Sequence, residues 1–265
     1  MRIKSRAIVV TGASRGIGRS AARALARAGG RVALLARSQE VMQVASEIVA
    51  EGGEARGYCV DLTDPSGVEQ VGRQIISDLG APEIVVNNAG AGRWLDVEET
   101  PPEEAAAMVA CPYLSAFYVT RTFLPSLLKR QEGYIVNINS PVAWLPWPGA
   151  SAYMAARWAL RGFTEALRTD LHGTGIRVMA LVPGKTSSTY FEHNPNSEQR
   201  LPTITRWIRT LTPDEVAAAL VSGIERDRSE IVIPFLLRLV FILHSVAPGP
   251  VDSLMRTTGW HRRRD

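Results

Sequence analysis

The residues with the clearest chemical potential are a serine, a tyrosine and an arginine in the middle of the chain. Tyr153 and Arg157 are four positions apart in SAYMAARWAL, a spacing that places both on one helix face. Ser140 precedes them, directly after the run IVNIN. A hydroxyl and a phenol can stabilise and protonate a carbonyl oxygen that gains charge during hydride transfer. Because a free tyrosine titrates near about pH 10, a neighbouring cation is needed to make it useful near neutrality.

A glycine-rich segment near the start of the chain predicts a dinucleotide site. TGASRGIG (11–18) follows the apolar run AIVV and opens a helical segment. Backbone N–H groups at a helix N-terminus attract anions, and glycine lets a pyrophosphate approach the main chain. The predicted phosphate-binding residues are Gly12, Ser14, Arg15, Gly16, Ile17 and Gly18.

The end of the next apolar run, RVALLARS, bears on the choice of cofactor. A carboxylate at its tip would bind the ribose diol of NAD, but position 36 is alanine and Arg37 follows. Arg15 lies in the glycine turn itself. Two guanidiniums suit the 2′-phosphate of NADP, because arginine pairs with phosphate in a fork and keeps its charge. We therefore expect NADP(H) rather than NAD(H), with a merely solvated, helix-capping Arg37 as the alternative.

Runs rich in Val and Ile alternate with helical segments along the whole chain. The runs are too continuously apolar for a half-exposed sheet, and the alternation predicts an α/β fold. We expect a Rossmann-type, doubly wound parallel sheet of about seven strands in a three-layer αβα arrangement. The predicted strands are 7–10, 31–36, 58–60, 83–87, 134–139, 177–182 and 230–234, and the predicted helices 16–28, 39–51, 65–79, 103–130, 151–172 and 213–225.

The domain organisation follows from the same pattern. We see no repeat or linker, so one domain is expected over residues 1–265. The polar, proline-containing segment 187–210 is the best candidate for a mobile substrate loop. An apolar C-terminal extension at 235–265 completes the chain.

Composition excludes several classes of function. The formal net charge is +4, but the one tight basic cluster is Arg262 to Arg264, so we expect no nucleic-acid partner. Cys59 and Cys111 form no disulfide framework and are expected to be reduced, buried thiols of a cytoplasmic protein. The start MRIKSR, followed by a short apolar run, is not typical of a signal peptide. No metal site is expected, because the histidines are not spaced as ligands: His172, His193, His244 and His261.

Taken together, the ordered motifs resemble the short-chain dehydrogenase/reductase family, in its NADP-preferring ketoreductase type. The resemblance covers nearly the whole chain and implies hydride transfer between a nicotinamide and a carbonyl or secondary alcohol. The motifs that carry it are TGASRGIG (11–18), Asp61-Leu62, NNAG (87–90), IVNINS (135–140), Tyr153 and PG (183–184).

The resemblance also implies a role for each matching residue. Ser140 would bond the substrate oxygen, Tyr153 would exchange a proton with it, and Arg157 would hold the nicotinamide ribose. The remaining cofactor contacts would be Asp61 and Leu62 at the adenine, Asn88, Ala89 and Gly90 at the adenosine ribose, Pro183 and Gly184 beside the nicotinamide, and Ser188 near its carboxamide.

Two positions depart from the family pattern, and both concern proton supply. Arg157 stands where the family has lysine; it keeps a positive charge but cannot release a proton. Pro112 stands where the family has a helix asparagine; it has no N–H or side-chain amide and should kink the helix.

Three interpretations of these departures remain open. We favour an active NADP-linked reductase with a rewired proton path. The others are a protein that binds NADP without turnover, as a sensor or assembly subunit, and a site whose substrate supplies its own proton.

The substrate pocket is expected to be apolar, for a small carbonyl or alcohol compound. Trp94, Trp144, Trp147 and Phe191 are candidates to line it, and plain core packing is the alternative.

The C-terminal run FLLRLVFILHSVAPGP (235–250) is too short, and with Arg238 and His244 too polar, to predict a spanning helix. We expect it to pack on the substrate loop or on another subunit of a homodimer or homotetramer. Contact with a membrane surface, with Trp260 and the terminal arginines nearby, is the less favoured alternative.

Overall fold

The fold is built around a parallel sheet. A computed structural model describes residues 1–261, so the cluster Arg262 to Arg264 lies outside the described residues. The seven strands of the described chain are β1 Ala7–Thr11, β2 Arg31–Ala36, β3 Glu54–Cys59, β4 Ile84–Asn87, β5 Gly133–Ile138, β6 Ile176–Pro183 and β7 Glu230–Ile233. Their order is β3-β2-β1-β4-β5-β6-β7, and every neighbouring pair is parallel.

Helices cover both faces of the sheet. Within residues 1–261 they are α1 Gly16–Arg27, α2 Glu40–Ala50, α3 Pro65–Leu79, α4 Pro102–Val109, α5 Ser115–Arg130, α6 Ser151–Asp170, α7 Tyr190–His193, α8 Pro213–Glu225, α9 Phe235–Val246 and α10 Pro248–Thr258. Alternate residues of a strand point to opposite faces. Accordingly, Ile8 and Val10 pack with α1, α2 and α8, whereas Val9 packs with α3 and α5. The predicted three-layer, doubly wound fold is confirmed.

The sheet places its functional edge at the point where the strand order reverses. β1 lies between β2 and β4, so the chain leaves β1 to one side and returns on the other after β3. Ligands of such sheets bind in the crevice outside the carboxyl ends of the strands at this switch point. The glycine turn follows β1 and the NNAG segment follows β4, which brings both motifs to the same crevice.

Most predicted elements agree with the structure to within two residues at each end, and two depart further. β3 begins at Glu54 rather than Tyr58, because it is an edge strand that pairs with β2 alone and keeps polar residues on its outer side. The predicted helix 103–130 is helical throughout, but a π-helical turn, Ala110–Leu114, interrupts its α-helical geometry around the buried Pro112. Since proline lacks the N–H of a regular ladder, the wide turn takes its place there.

The C-terminal extension forms the helix pair α9 and α10. Leu237 and Phe241 on the inner side of α9 are buried, but Phe235 is 67% exposed and Leu243 56%. The substrate loop does not cover the outer side of the segment 235–243, so burial of that side against another subunit stays a prediction. The Trp260 ring packs against the Arg200 guanidinium. No helix within residues 1–261 is long and apolar enough to span a bilayer.

Candidate cofactor and active site

The glycine turn after β1 has the backbone shape of a phosphate cradle. Gly12 and Gly16 have φ values of +63° and +53°, which side-chain-bearing residues rarely adopt. A Cβ on Gly18 would lie 2.2 Å from the Gly12 carbonyl oxygen. In the described chain the side chain of the N-cap residue Arg15 makes no capping bond to α1, which leaves the first N–H groups of this helix for a ligand.

The segment after β4 is fixed to this turn by hydrogen bonds. The Asn88 side-chain amide donates to the carbonyl oxygens of Thr11 (2.9 Å) and Gly12 (3.2 Å). The backbone N–H groups of Asn88 and Ala89 both donate to the Thr11 hydroxyl, at 2.9 and 3.0 Å. These bonds hold the two loops of the crevice in one arrangement.

A large cavity extends from the glycine turn to the middle of the sheet. Its volume is about 1100 Å³, slightly above the usual range for ligand pockets, and suits a dinucleotide together with a substrate. Gly18 does not line the cavity. The other predicted site residues all line it: Gly12, Ser14, Arg15, Gly16, Ile17, Arg37, Asp61, Leu62, Asn88, Ala89, Gly90, Ser140, Tyr153, Arg157, Pro183, Gly184 and Ser188.

The end of the cavity beside β2 and β3 is lined by charged side chains. Arg37 and Asp61 both lie there, and the backbone N–H of Thr63 donates to the Asp61 carboxylate at 2.9 Å. This bond, reinforced by the nearby Arg37, holds the pKa of Asp61 below its usual range. Arg15 lies 3.8 Å from Glu40 and contacts the imidazole of His193, a neighbour that the sequence analysis did not find.

The three residues proposed for chemistry lie together at the other end. Tyr153 and Arg157 are 4% and 7% exposed, and the Arg157 guanidinium carbon is 5.1 Å from the Tyr153 ring centre. Arg157 Nη1 donates to the Ile138 carbonyl oxygen at 3.3 Å, and its buried Nε has no partner among the described residues. Ser140 lines the same cavity at the end of β5. The predicted helix-face spacing thus brings a cation to the phenol.

The absence of a side chain at Gly90 leaves space for the Arg157 guanidinium. A Cβ on Gly90 would lie 2.6 Å from Arg157 Nη2, so the NNAG segment leaves the space that a guanidinium fills. The backbone carbonyl of Arg157 accepts a bond from the Asn139 amide at 3.1 Å, which ties α6 to the end of β5. The guanidinium therefore fits between the NNAG segment and the end of β5.

A second tyrosine, Tyr190, lies beside Tyr153 and was not predicted from the sequence. Tyr190 of α7 lies with its ring centre 6.2 Å from that of Tyr153, and its hydroxyl donates to the Gly92 carbonyl oxygen at 2.5 Å. Burial raises the pKa of Tyr190 well above its usual value. Tyr190 therefore stays protonated near neutrality. Tyr190 lies in the loop 187–210, and no sequence motif in that loop indicates a role for it in the site.

Buried polar contacts hold that loop against the segment after β4. The Gly92 N–H donates to the Asn194 side-chain oxygen at 3.2 Å, and the Trp94 N–H donates to the Ser197 hydroxyl at 2.9 Å. Asn194 is 7% exposed and Ser197 is fully buried. The predicted substrate loop thus closes one side of the cavity.

Aromatic side chains form the apolar wall of the cavity. Trp94, Trp147 and Phe191 line it, with the Trp94 ring centre 5.3 Å from that of Trp147 and 6.0 Å from that of Phe191. Trp144 lies elsewhere: it stacks on Phe241 at 5.5 Å. The pocket-lining prediction is therefore wrong for Trp144.

The two cysteines differ in their surroundings. Cys59 is exposed, on the edge strand β3, so the prediction of two buried thiols is wrong for this residue. Cys111 lines the cavity, and burial raises the pKa of its thiol. Within residues 1–261 no group of three or more His, Cys, Asp or Glu side chains is placed to hold a metal ion. The expected absence of a metal stays a prediction.

Comparison with known proteins gives the family. The family model for the short chain dehydrogenase matches residues 6–200. The chain belongs to the short-chain dehydrogenase family. This confirms the resemblance found in the motifs, and it makes the chain a member of a family of oxidoreductases.

Two curated relatives illustrate the range of this family. The probable oxidoreductase EphD of Mycobacterium tuberculosis is 34% identical over 238 residues, which are 83% of this chain but 40% of that protein. The chain therefore spans less than half the length of this relative. The fatty acyl-CoA reductase of Acinetobacter baylyi is 28% identical over 262 residues, which are 98% of this chain and 85% of the relative.

Solved structures share the fold along most of the chain. An alcohol dehydrogenase from Thermococcus sibiricus, complexed with 5-hydroxy-NADP, superposes with a TM-score of 0.76 at 29% identity, over 86% of this chain and 95% of its own. A variant of the actinorhodin polyketide ketoreductase with NADPH has a TM-score of 0.78 at 28% identity, over 88% and 97%.

Proposed function

We propose that the protein is an NADP(H)-linked oxidoreductase that transfers a hydride between the nicotinamide and a carbonyl or secondary alcohol. The observation that carries the proposal is the pairing of buried Tyr153 with the Arg157 cation, 5.1 Å from its ring centre, inside the cavity that the glycine turn opens. The solved relatives with bound NADP or NADPH support the same cofactor class.

The residues present fit this cofactor. The positive-φ glycines and the N-terminus of α1 would hold the pyrophosphate, and Arg157 would bond the nicotinamide ribose. The bound cofactor supplies or accepts the hydride. Ser140 donates a hydrogen bond to the substrate oxygen, and Tyr153 gives that oxygen its proton. Arg157 then stabilises the phenolate through its fixed charge, in place of a lysine that could also pass on a proton.

The preference for NADP(H) rests on arginines at the adenosine end. Arg15 and Arg37 line the cavity there, and position 36, at the end of β2, is alanine. Glu40 and His193 hold Arg15 at present, and a 2′-phosphate with its higher charge would replace them as its partner.

Replacement of Arg37 by aspartate should weaken NADPH binding by about 1.5–3 kcal/mol, the worth of one charge-assisted hydrogen bond. NADH, which lacks the phosphate, should lose little. Titration calorimetry with each cofactor measures the difference in affinity. Arg56→Asp is the control, because Arg56 lies on the edge strand β3, outside the cavity, where it pairs with Asp78. Equal affinity of the native protein for NADH and NADPH would refute the assignment.

The proposed substrate is an apolar small-molecule carbonyl or alcohol compound. Trp94, Trp147 and Phe191 form the wall beside Tyr153, with Met108 in the same cluster. The relationship to a fatty acyl-CoA reductase agrees with an apolar substrate class. We also propose a homodimer or homotetramer, because Phe117 of α5 and Trp158 of α6 are large apolar side chains exposed to 39% and 47%.

The alternative function is that of an NADP-binding sensor or assembly subunit. Arg157 and Pro112 favour it, since neither can hold the proton relay of the family. Incubation with NADPH and a panel of apolar ketones and aldehydes distinguishes the two. Loss of nicotinamide absorbance supports the reductase. Calorimetric binding of NADPH without reduction of any compound supports the sensor.

A further inference from the structure

Helix α9 carries an exposed apolar stripe along its length. Its six members are 45–79% exposed and follow one another at helical spacing: Phe235, Leu236, Leu239, Ile242, Leu243 and Val246. Residues at intervals of three and four positions share one face of a helix. The stripe is therefore continuous, and in this chain it faces solvent.

The opposite side of the same helix is apolar as well. Leu237 and Phe241 are buried in the cluster that contains Trp94 and Tyr153, so the inner side of α9 belongs to the packing around the cavity. A helix that is apolar nearly all round is expected inside a protein or in contact with lipid, and not on a surface that faces water. The outer stripe therefore needs a cover.

The exposed charged side chains of α9 and α10 are positive. Arg238 is exposed on α9, and Arg256 is exposed on α10, which packs against α9. The 3-10 turn Thr203–Trp207 contacts α10. It contributes another exposed arginine, Arg206, next to Trp207, which is 82% exposed. Asp252 is the one acidic residue in 235–258, and it bonds His244 at 2.9 Å from a half-buried position.

We propose that α9 lies on the surface of a membrane that contains anionic lipid, with its outer stripe at the boundary between headgroups and acyl chains. Apolar residues on one side and arginines beside them, with an exposed tryptophan nearby, are the features of helices that bind in this plane. Anionic headgroups complement the arginines. A second copy of the chain is the competing cover, but two-fold pairing of this face would set the positive rim against itself. The proposal does not depend on the proposed reaction.

Co-sedimentation with vesicles tests the proposal on the full chain. The native protein should sediment with vesicles of phosphatidylcholine containing about one third phosphatidylglycerol. The double variant Leu239→Glu/Leu243→Glu should bind them at least about tenfold more weakly, because two carboxylates would enter the apolar boundary. Both replaced residues are exposed, so the melting temperature should stay unchanged.

Matched variants make each outcome decisive. Val49→Glu/Ile76→Glu introduces the same charges at exposed apolar positions on α2 and α3, and should bind vesicles as the native protein does. Arg238→Gln/Arg256→Gln should lose the preference for anionic over purely phosphatidylcholine vesicles. Native protein that stays in the supernatant would overturn the proposal. So would a lower mass of Leu239→Glu/Leu243→Glu in light scattering, which would assign the stripe to a second copy.

Discussion

Replacement of Tyr153 by phenylalanine should lower turnover by about 10²–10⁴-fold, the usual contribution of a positioned proton donor. NADPH affinity should be nearly unchanged, because the ring keeps its packing beside Trp94, with ring centres 5.8 Å apart, and only the phenolic oxygen is lost. Steady-state rates on a reactive ketone and calorimetry with NADPH measure the two effects.

Tyr113→Phe is the matched control for this change. Tyr113 lies in the π-helical turn, where its ring contacts Phe163, and it does not line the cavity. Loss of the Tyr113 hydroxyl should leave turnover near the native rate. If Tyr153→Phe also kept a rate within about tenfold of native, another group would be the proton donor.

Replacement of Arg157 by alanine should harm cofactor binding and turnover together. The change removes the cation 5.1 Å from the Tyr153 ring centre and the donors available to a ribose, and it leaves the Ile138 carbonyl without its 3.3 Å partner. NADPH affinity should fall by about ten- to hundredfold, the equivalent of one charge-assisted hydrogen bond. Turnover should fall further, since the phenolate loses its stabilising charge.

Two variants of the same helix separate charge from packing. Arg157→Lys keeps the cation and should hold or raise activity. Arg161→Ala removes an arginine that stacks on Trp144 at 4.6 Å and bonds the Ala143 carbonyl, outside the cavity. It should leave NADPH affinity unchanged. An Arg157→Ala protein with native affinity and rate would show that the guanidinium plays no part in the site.

Local patterns were sufficient to predict the layers of the fold and the cofactor crevice. The apolar runs on both faces of β1 predict a covered parallel sheet, and the turn 11–18 predicts the positive-φ glycines that the structure contains. The four-residue spacing of Tyr153 and Arg157 predicts their contact, because helix geometry fixes which residues share a face. These features depend on residues close together in the chain.

Contacts between distant segments could not be predicted in the same way. Tyr190, Asn194 and Ser197 reach the segment 92–94 from a loop about a hundred residues later, through single hydrogen bonds that no sequence period records. The need for glycine at position 90 could not be predicted from the sequence either. A Cβ there would lie 2.6 Å from Arg157 Nη2, and this distance is set by the tertiary structure.

The remaining errors have physical causes of their own. Pro112 indicated a kink, but the pattern could not tell whether the helix would bend or widen into the π-helical turn Ala110–Leu114. Trp144 follows Ser140 closely in sequence, yet the 3-10 turn Pro141–Ala143 directs it to Phe241 rather than to the cavity. In α9 apolar residues occupy both sides, so hydropathy alone could not identify the exposed one.

Single-turnover hydride transfer tests the central claim most directly: that the site works with arginine in the place of lysine. Native protein, Tyr153→Phe and Arg157→Lys would each be loaded with NADPH and mixed with one reactive ketone, and the loss of nicotinamide absorbance followed. The native protein should transfer its hydride at least about 10²-fold faster than Tyr153→Phe, with Arg157→Lys as fast or faster. Native and Tyr153→Phe proteins that are equally inert, beside an active Arg157→Lys, would contradict it.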